Sequence, residues 1–194
     1  AGDLGGAAAA FAANLASEDE GERYRAHNNL GSINAMQGRL EDAYHHFDEA
    51  LTLARRNSNH LDVSATLNNL AASAERLGDY QRAERHFREG IALARRRGAT
   101  RREAEMLVNL AVVHARQGRL GLAWNTTAEV EALAGELGDG RLAMRVAEQR
   151  GEVMRLCSDL AGALAELGEA ARLAEGLRDE RKRRALEAQA LTVR

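Results

Sequence analysis

The sequence predicts an all-α protein built from repeated pairs of helices. Gly38, Gly78 and Gly118 stand 40 residues apart, and Ser158 continues the series. Two further series keep this spacing: Ala43, Ala83, Ala123 and Ala163, and Phe47, Phe87, Thr127 and Leu167. The composition also favours helix, because the chain has no proline and no run of alternating β-branched and aromatic residues. Internal repetition of this kind fixes the architecture before any single residue is interpreted.

The repeat divides the chain into about ten helices joined by short turns. The predicted helices span 4–16, 21–37, 40–56, 61–77, 80–97, 101–117, 120–137, 140–156, 159–176 and 179–194. Turns this short force neighbouring helices to run antiparallel. We therefore expect a single array over 1–194. It comprises a half repeat at 1–17, full repeats at 21–57, 61–97, 101–137 and 140–176, and a terminal helix at 179–194.

The N-terminal helix follows the same scheme at a shorter spacing. The series Gly2-Asp3-Leu4, Phe11 and Leu15 matches Gly38-Arg39-Leu40, Phe47 and Leu51 at a distance of 36 residues. We therefore expect the chain to open on the second helix of a pair.

The residue types at the turns and between the helices fit this arrangement. Glycine adopts the positive φ that ends a helix at little steric cost. Asp79 and Asp159 can accept hydrogen bonds from the free amides of the following helix. One register of the first helices holds small residues, which let two helices approach closely: Gly31, Ala71, Ala111 and Gly151. The fourth pair departs most from the pattern, because Arg150 stands where the other pairs have leucine.

Three motifs carry a family resemblance. They are Leu30-Gly31 on a first helix, Gly78-Asp79-Tyr80 at a turn, and Ala83 followed four residues later by Phe87 on a second helix. Together they resemble the tetratricopeptide repeat, although the repeat here is 40 residues long and the family's is usually about 34. Forty-residue versions with an Asn-Leu pair look like those of kinesin light chains and of the sensor regions of bacterial transcription regulators. The Ala, Arg, Gly and Leu usage favours a bacterial source.

The resemblance implies a fold and a binding surface. In that family the first helices line the concave face of a right-handed α-α superhelix, and this groove binds peptides. Carried onto this chain, the residues of that face are Asn29, Asn69, Asn109, Gln149, Asn28, Asn68, Arg25, Arg76, Arg116 and Arg145. A row of amides has donors and acceptors for the backbone of an extended peptide. The arginines could hold acidic side chains or a terminal carboxylate.

Two other interpretations of these residues remain open at this stage. The asparagines could bond to adjacent helices and brace the stack, or they could lie idle on the surface. Exposed arginine is ordinary in proteins, so Arg76 and Arg116 could be solvated.

Composition argues against several kinds of partner. A net charge of −2 gives no electrostatic reason to expect nucleic acid, for which a basic excess is usual. No stretch approaches the roughly 20 apolar residues of a membrane span, so we expect no membrane partner. The single cysteine, Cys157, excludes an internal disulfide and is interpreted as a small buried hydrophobe in a reducing, cytoplasmic compartment.

We expect neither catalysis nor a cofactor. The sequence has no glycine-rich phosphate loop, nucleophile elbow or zinc-ligand spacing. His45 and His46 are adjacent on a helix, so their side chains diverge by about 100°. His86 lies in register with His46, and we interpret these histidines as surface polar residues rather than metal ligands.

The predicted function is a non-catalytic scaffold that binds a peptide or helix of a partner protein in the concave groove. Two alternatives remain. The chain could be the sensor or oligomerisation module of a larger bacterial transcription regulator, or a structural array that self-associates as a homodimer through its terminal helices.

Overall fold

A computed structural model of the protein describes residues 4–57 and 60–193. Within these residues the chain forms ten α-helices, one short 3-10 segment (Asn14–Ala16) and no strand. The helices are α1 (Leu4–Ala13), α2 (Glu20–Met36), α3 (Leu40–Arg56), α4 (His60–Arg76), α5 (Tyr80–Arg96), α6 (Thr100–Arg116), α7 (Leu120–Leu137), α8 (Gly140–Leu156), α9 (Leu160–Gly176) and α10 (Glu180–Thr192). The all-α prediction and the helix order are confirmed. The predicted turn at Gly2 and Asp3, and Arg194, lie outside the described residues.

The chain divides into two compact units, Ala1–Arg97 and Gly98–Arg194. The first unit contains α1 to α5 and the second contains α6 to α10. In each unit, helices that follow one another along the chain pack side by side. The single array over 1–194 and the homodimer through terminal helices stay predictions.

The turns between helices depend on a left-handed backbone conformation. Gly38, Gly78 and Gly118 have φ values of +78°, +80° and +72°, as their positions in the repeat predicted. Ser158 and Arg178 adopt similar values, 62° and 59°, although their β-carbons disfavour this conformation. Ser158 lies between the two helices of the last full repeat, and Arg178 lies between that repeat and α10.

The predicted aspartate caps are confirmed. The Asp79 carboxylate accepts a hydrogen bond from the backbone N–H of Arg82 at 3.0 Å. Asp159 accepts one from the backbone N–H of Gly162 at 2.9 Å. Each carboxylate satisfies an amide that has no partner within its own helix.

The small residues allow the close approach that the repeat predicted. A β-carbon added at Gly31 would lie 2.7 Å from the ring of Phe47, so α2 and α3 pack with that ring directly on the α2 backbone. A β-carbon added at Gly151 would lie 3.1 Å from Cγ of Leu167, which is a looser contact between α8 and α9. The two helices therefore approach each other more closely at Gly31 than at Gly151.

The prediction that Cys157 is buried is wrong. This residue is the C-cap of α8, and its side chain is exposed. It lies in a turn, where side chains face solvent rather than the interface between helices.

Candidate peptide-binding surface

In the first unit, the predicted amides lie on α2 and α4. Asn28, Asn29, Asn68 and Asn69 are all half-buried. The Nδ2 of Asn69 donates a hydrogen bond to Oδ1 of Asn28 across the two helices, at 3.2 Å. This bond is the bracing contact that the sequence allowed as an alternative to ligand binding. Asn28 and Asn69 therefore help to hold α2 and α4 together.

Arg76 lies at the end of α4 and reaches back to α2. Its Nη1 donates to the backbone carbonyl oxygen of Ala35 at 2.9 Å. The last carbonyls of a helix lack partners within the helix and carry partial negative charge, so a guanidinium there is favourable. Arg76 is therefore a helix-end contact as well as an exposed cation.

Two residues of this surface keep their hydrogen-bonding groups free. The side chains of the half-buried Asn29 and the exposed Arg25 have no hydrogen-bond partner among the described residues. A primary amide has two N–H donors and a carbonyl with two lone pairs, so the Asn28–Asn69 bond also leaves capacity on both of its members. These groups can still bond to a peptide.

The second unit repeats the bracing with different residues. The Nη2 of Arg145 on α8 donates to Oδ1 of Asn109 on α6 at 2.9 Å, so Arg145 links these two first helices. The half-buried Gln149 has no hydrogen-bond partner in the described part of the chain. Arg116 is exposed at the end of α6. One further bridge joins two first helices, from Nζ of Lys182 on α10 to Oε1 of Glu148 on α8 at 2.9 Å.

A polar cluster between α7 and α8 was not predicted. The Arg150 guanidinium lies 4.8 Å from the centroid of the Trp124 ring. Its Nη2 pairs with Oε2 of Glu131 at 2.6 Å, and its Nε donates to Oγ1 of Thr127 at 3.4 Å. The Arg150 side chain is only 13% exposed, so it is an interior residue with three partners. The sequence carried a signal, because Thr127, Glu131 and Arg150 all replace apolar residues of their registers.

Two histidine contacts in the first unit were also missed. The Nδ1 atoms of His27 and His46 lie 3.1 Å apart, which joins α2 to α3. The Oη of Tyr44 and Nε2 of His86 lie 2.9 Å apart, which joins α3 to α5. Burial is the main cause that lowers the pKa of all three histidines. The interpretation of the histidines as surface residues is wrong for His86, which is 7% exposed.

Among the described residues, no group of three or more His, Cys, Asp or Glu side chains is placed to hold a metal ion. None of the described helices combines the length and the apolar character that crossing a membrane requires.

Comparison with known proteins identifies the repeat. The tetratricopeptide repeat model matches residues 22–96. No curated protein sequence matches the chain.

Solved structures share the fold at low sequence identity. BtubC from P. vanneervenii superposes with a TM-score of 0.77 at 21% identity, over 91% of this chain and 75% of that one. A signal transduction ATPase of Pyrococcus horikoshii with a tetratricopeptide repeat sensor gives 0.84 at 13% identity, over 97% of this chain. The Rap conjugation gene regulator of plasmid pLS20, in complex with the Phr* peptide, gives 0.76 at 14% identity, over 95% of this chain.

The chain spans 30% of the ATPase and 50% of the Rap regulator, so these likenesses concern part of each protein. At such identities they establish a common fold and no more. Residues 22–96 are tetratricopeptide repeats, and the chain has the all-α fold of tetratricopeptide repeat proteins.

Proposed function

We propose that the protein is a non-catalytic scaffold that binds an extended peptide segment of a partner protein. The peptide lies on the first helices, and in the first unit it contacts Asn28, Asn29 and Asn69. The observation that carries this proposal is the amide row across α2 and α4, where Asn29 has no partner among the described residues. The Asn69–Asn28 bond holds two further amides in fixed positions beside it.

The chemistry of this surface favours a peptide backbone over other ligands. Backbone N–H and C=O groups alternate along an extended chain, and side-chain amides can pair with both. Because the amides are half-buried, each bond forms with partial loss of water from both the amide and the ligand. A ligand that leaves an amide unpaired therefore binds more weakly. The free guanidinium of Arg25 adds a preference for a carboxylate on the peptide.

The comparisons support this proposal at the level of the fold. The Rap regulator is a peptide complex by its own description. The ATPase has a tetratricopeptide repeat sensor, which favours a second candidate function for this chain, as the sensor segment of a larger regulator. In both cases the first helices would receive the peptide, so one experiment addresses both.

The test selects a ligand and then removes the amides. Peptides are selected from a random phage-displayed library on the immobilised protein, and the best one is measured by fluorescence polarisation. In the triple variant Asn28→Ala, Asn29→Ala, Asn69→Ala we expect affinity to fall at least about tenfold, because two or more hydrogen bonds of roughly 1 kcal/mol each are lost. Helix content by circular dichroism should not change.

Matched controls separate binding from bracing. Gln81→Ala and Asn125→Ala remove exposed amides from second helices and should leave affinity unchanged. If the amides only brace the helices, Asn69→Ala will lower the free energy of unfolding while the folded triple variant binds the peptide as well as the parent does. That result would overturn the proposal, as would failure of the library to yield any peptide.

A further inference from the structure

A cavity of about 470 Å³ lies in the first unit between α1, the 3-10 segment, α2 and α3. Its volume falls within the range of small-molecule sites. The wall from the N-terminal helix is apolar and consists mostly of alanine, whereas the wall from α3 carries polar side chains. Ala8 lies on the apolar wall, and His46 lies on the polar wall.

The corresponding place one repeat later is filled by a side chain. Between α3 and α5, Tyr44 directs its hydroxyl at Nε2 of His86, at 2.9 Å. The α1 register precedes α3 by 36 residues, and the α3 register precedes α5 by 40. Ala8 therefore corresponds to Tyr44, and His46 corresponds to His86. The histidine is present at both places, but at the cavity the tyrosine is replaced by alanine.

His46 has one ring nitrogen in use and one available. Its Nδ1 shares a hydrogen bond with Nδ1 of His27, and its Nε2 has no partner in the described ranges. Burial lowers the pKa of both rings, so both are mainly neutral at about pH 7. Whichever ring donates in the shared bond, Nε2 of His46 is left as a donor or as an acceptor. A hydroxyl group can satisfy either state.

We propose that this cavity binds a phenolic small molecule. The aromatic ring occupies the space that tyrosine fills in the next repeat, and the phenol hydroxyl hydrogen-bonds to Nε2 of His46. The cavity is larger than one aromatic ring, so the ligand extends beyond the phenol toward Arg39 and Asp42 at the polar side. The site is separate from the amide row on α2 and α4 and does not depend on peptide binding.

The first experiment compares two ligands that differ only in the hydroxyl. The protein is titrated with 2-naphthol and with naphthalene, and binding is followed by ligand fluorescence and by the amide chemical shifts of α1 and α3. We expect saturable binding of 2-naphthol, roughly three- to tenfold tighter than that of naphthalene, as one net hydrogen bond implies. Absence of saturable 2-naphthol binding below about 1 mM would overturn the proposal.

Two variants locate the site. Ala8→Tyr should occupy the part of the cavity beside His46, restore the contact seen at His86, raise the melting temperature and weaken 2-naphthol binding at least about tenfold. Ala13→Tyr adds the same side chain to an exposed position of α1 outside the cavity and should bind as the parent does. Equal binding by Ala8→Tyr and the parent would contradict the assignment.

A second variant keeps the test decisive if Ala8→Tyr does not fold. His46→Phe retains a ring but removes the nitrogen, so it should abolish the preference for 2-naphthol over naphthalene. His45→Phe changes another residue of the cavity lining but keeps Nε2 of His46, so it should preserve that preference. A parallel titration with N-acetyltyrosinamide distinguishes the source of the phenol. If it binds and 2-naphthol does not, the cavity takes a tyrosine of a partner peptide and the small-molecule proposal is wrong.

Discussion

Between α3 and α4, in the first unit, the contact is apolar: Phe47, Leu51 and Leu70 belong to one buried cluster. Between α7 and α8, in the second unit, the same registers hold Thr127, Glu131 and Arg150, which contact one another through polar groups. Both contacts join a second helix to the first helix of the next repeat. The same helix geometry is thus compatible with a hydrocarbon contact and with an ionic one.

The difference shows what an interior charge needs. Arg150 has a carboxylate, a hydroxyl and an aromatic face within reach, and its stem covers apolar surface. The α3–α4 contact provides none of the ionic partners, since the registers of Thr127 and Glu131 hold Phe47 and Leu51 there. Arg150 therefore has a hydroxyl and a carboxylate beside it that the α3–α4 contact lacks.

Placing arginine at position 70 or leucine at position 150 should give the largest changes in the free energy of unfolding. The two variants should also differ strongly from each other. Leu70→Arg places a charge among apolar side chains with no carboxylate in the equivalent register, and should cost at least about 3 kcal/mol of unfolding free energy. Arg150→Leu restores the residue of the other repeats and should change that free energy by no more than about 1 kcal/mol, or increase it. Urea unfolding measured by circular dichroism gives both values.

The chain's single tryptophan helps to assign these effects. Trp124 contacts Arg150, so its fluorescence reports on the second unit. Arg172→Leu removes an exposed arginine from the same unit and should change stability by less than about 0.5 kcal/mol. If Arg150→Leu is as destabilising as Leu70→Arg, the polar cluster is a specific stabilising unit and the comparison above is wrong.

A smaller contrast concerns the close approach of the two helices in a pair. Gly31→Ala drives a methyl group into the Phe47 ring and should cost roughly 1–3 kcal/mol. Gly151→Ala meets Leu167 at a longer distance, and a leucine side chain can shift more easily than a buried ring, so the loss should be below about 1 kcal/mol. Thermal unfolding of the two variants checks the order. An equal loss at both positions would show that the helix pairs are packed alike.

The smallest expected effect lies in the left-handed turns. Ser158→Gly and Arg178→Gly remove the strain of a β-carbon at positive φ, and each should stabilise by about 0.5–1 kcal/mol after the added freedom of the unfolded chain is subtracted. The reverse change, Gly118→Ser, should destabilise by a similar amount. Midpoints of urea unfolding give the sign of each change in stability. Destabilisation by Ser158→Gly would show that the serine hydroxyl stabilises the turn by more than the backbone strain destabilises it.

Periodicity predicted the fold well because the repeat is a property of backbone geometry and burial. Glycines at a fixed spacing located the turns, and small residues in register located the close contacts, since both depend only on position along the helix. Periodicity did not reveal the burial of Arg150, because a repeat pattern reports what each register usually holds. Only the joint departure of Thr127 and Glu131 from the pattern indicated that the charge had partners.

The candidate site was harder to predict, because hydrogen bonds depend on side-chain conformation as well as on register. The sequence placed Asn28 and Asn69 on neighbouring first helices but could not say whether they would bond to each other or to a ligand. It also could not show that Arg76 reaches the Ala35 carbonyl. The sequence held one indication of the cavity beside His46, because Ala8 stands in the register of Tyr44. That difference can be interpreted only once the Tyr44–His86 contact is known.

Four bonds between first helices share one direction. From Asn69 to Asn28, from Arg76 to Ala35, from Arg145 to Asn109 and from Lys182 to Glu148, the donor lies on the later helix and reaches back 34 to 41 residues. In these bonds the later helix meets its acceptors on a segment that the ribosome has already released. With contacts that seldom span more than one repeat, each unit can fold as it is synthesised.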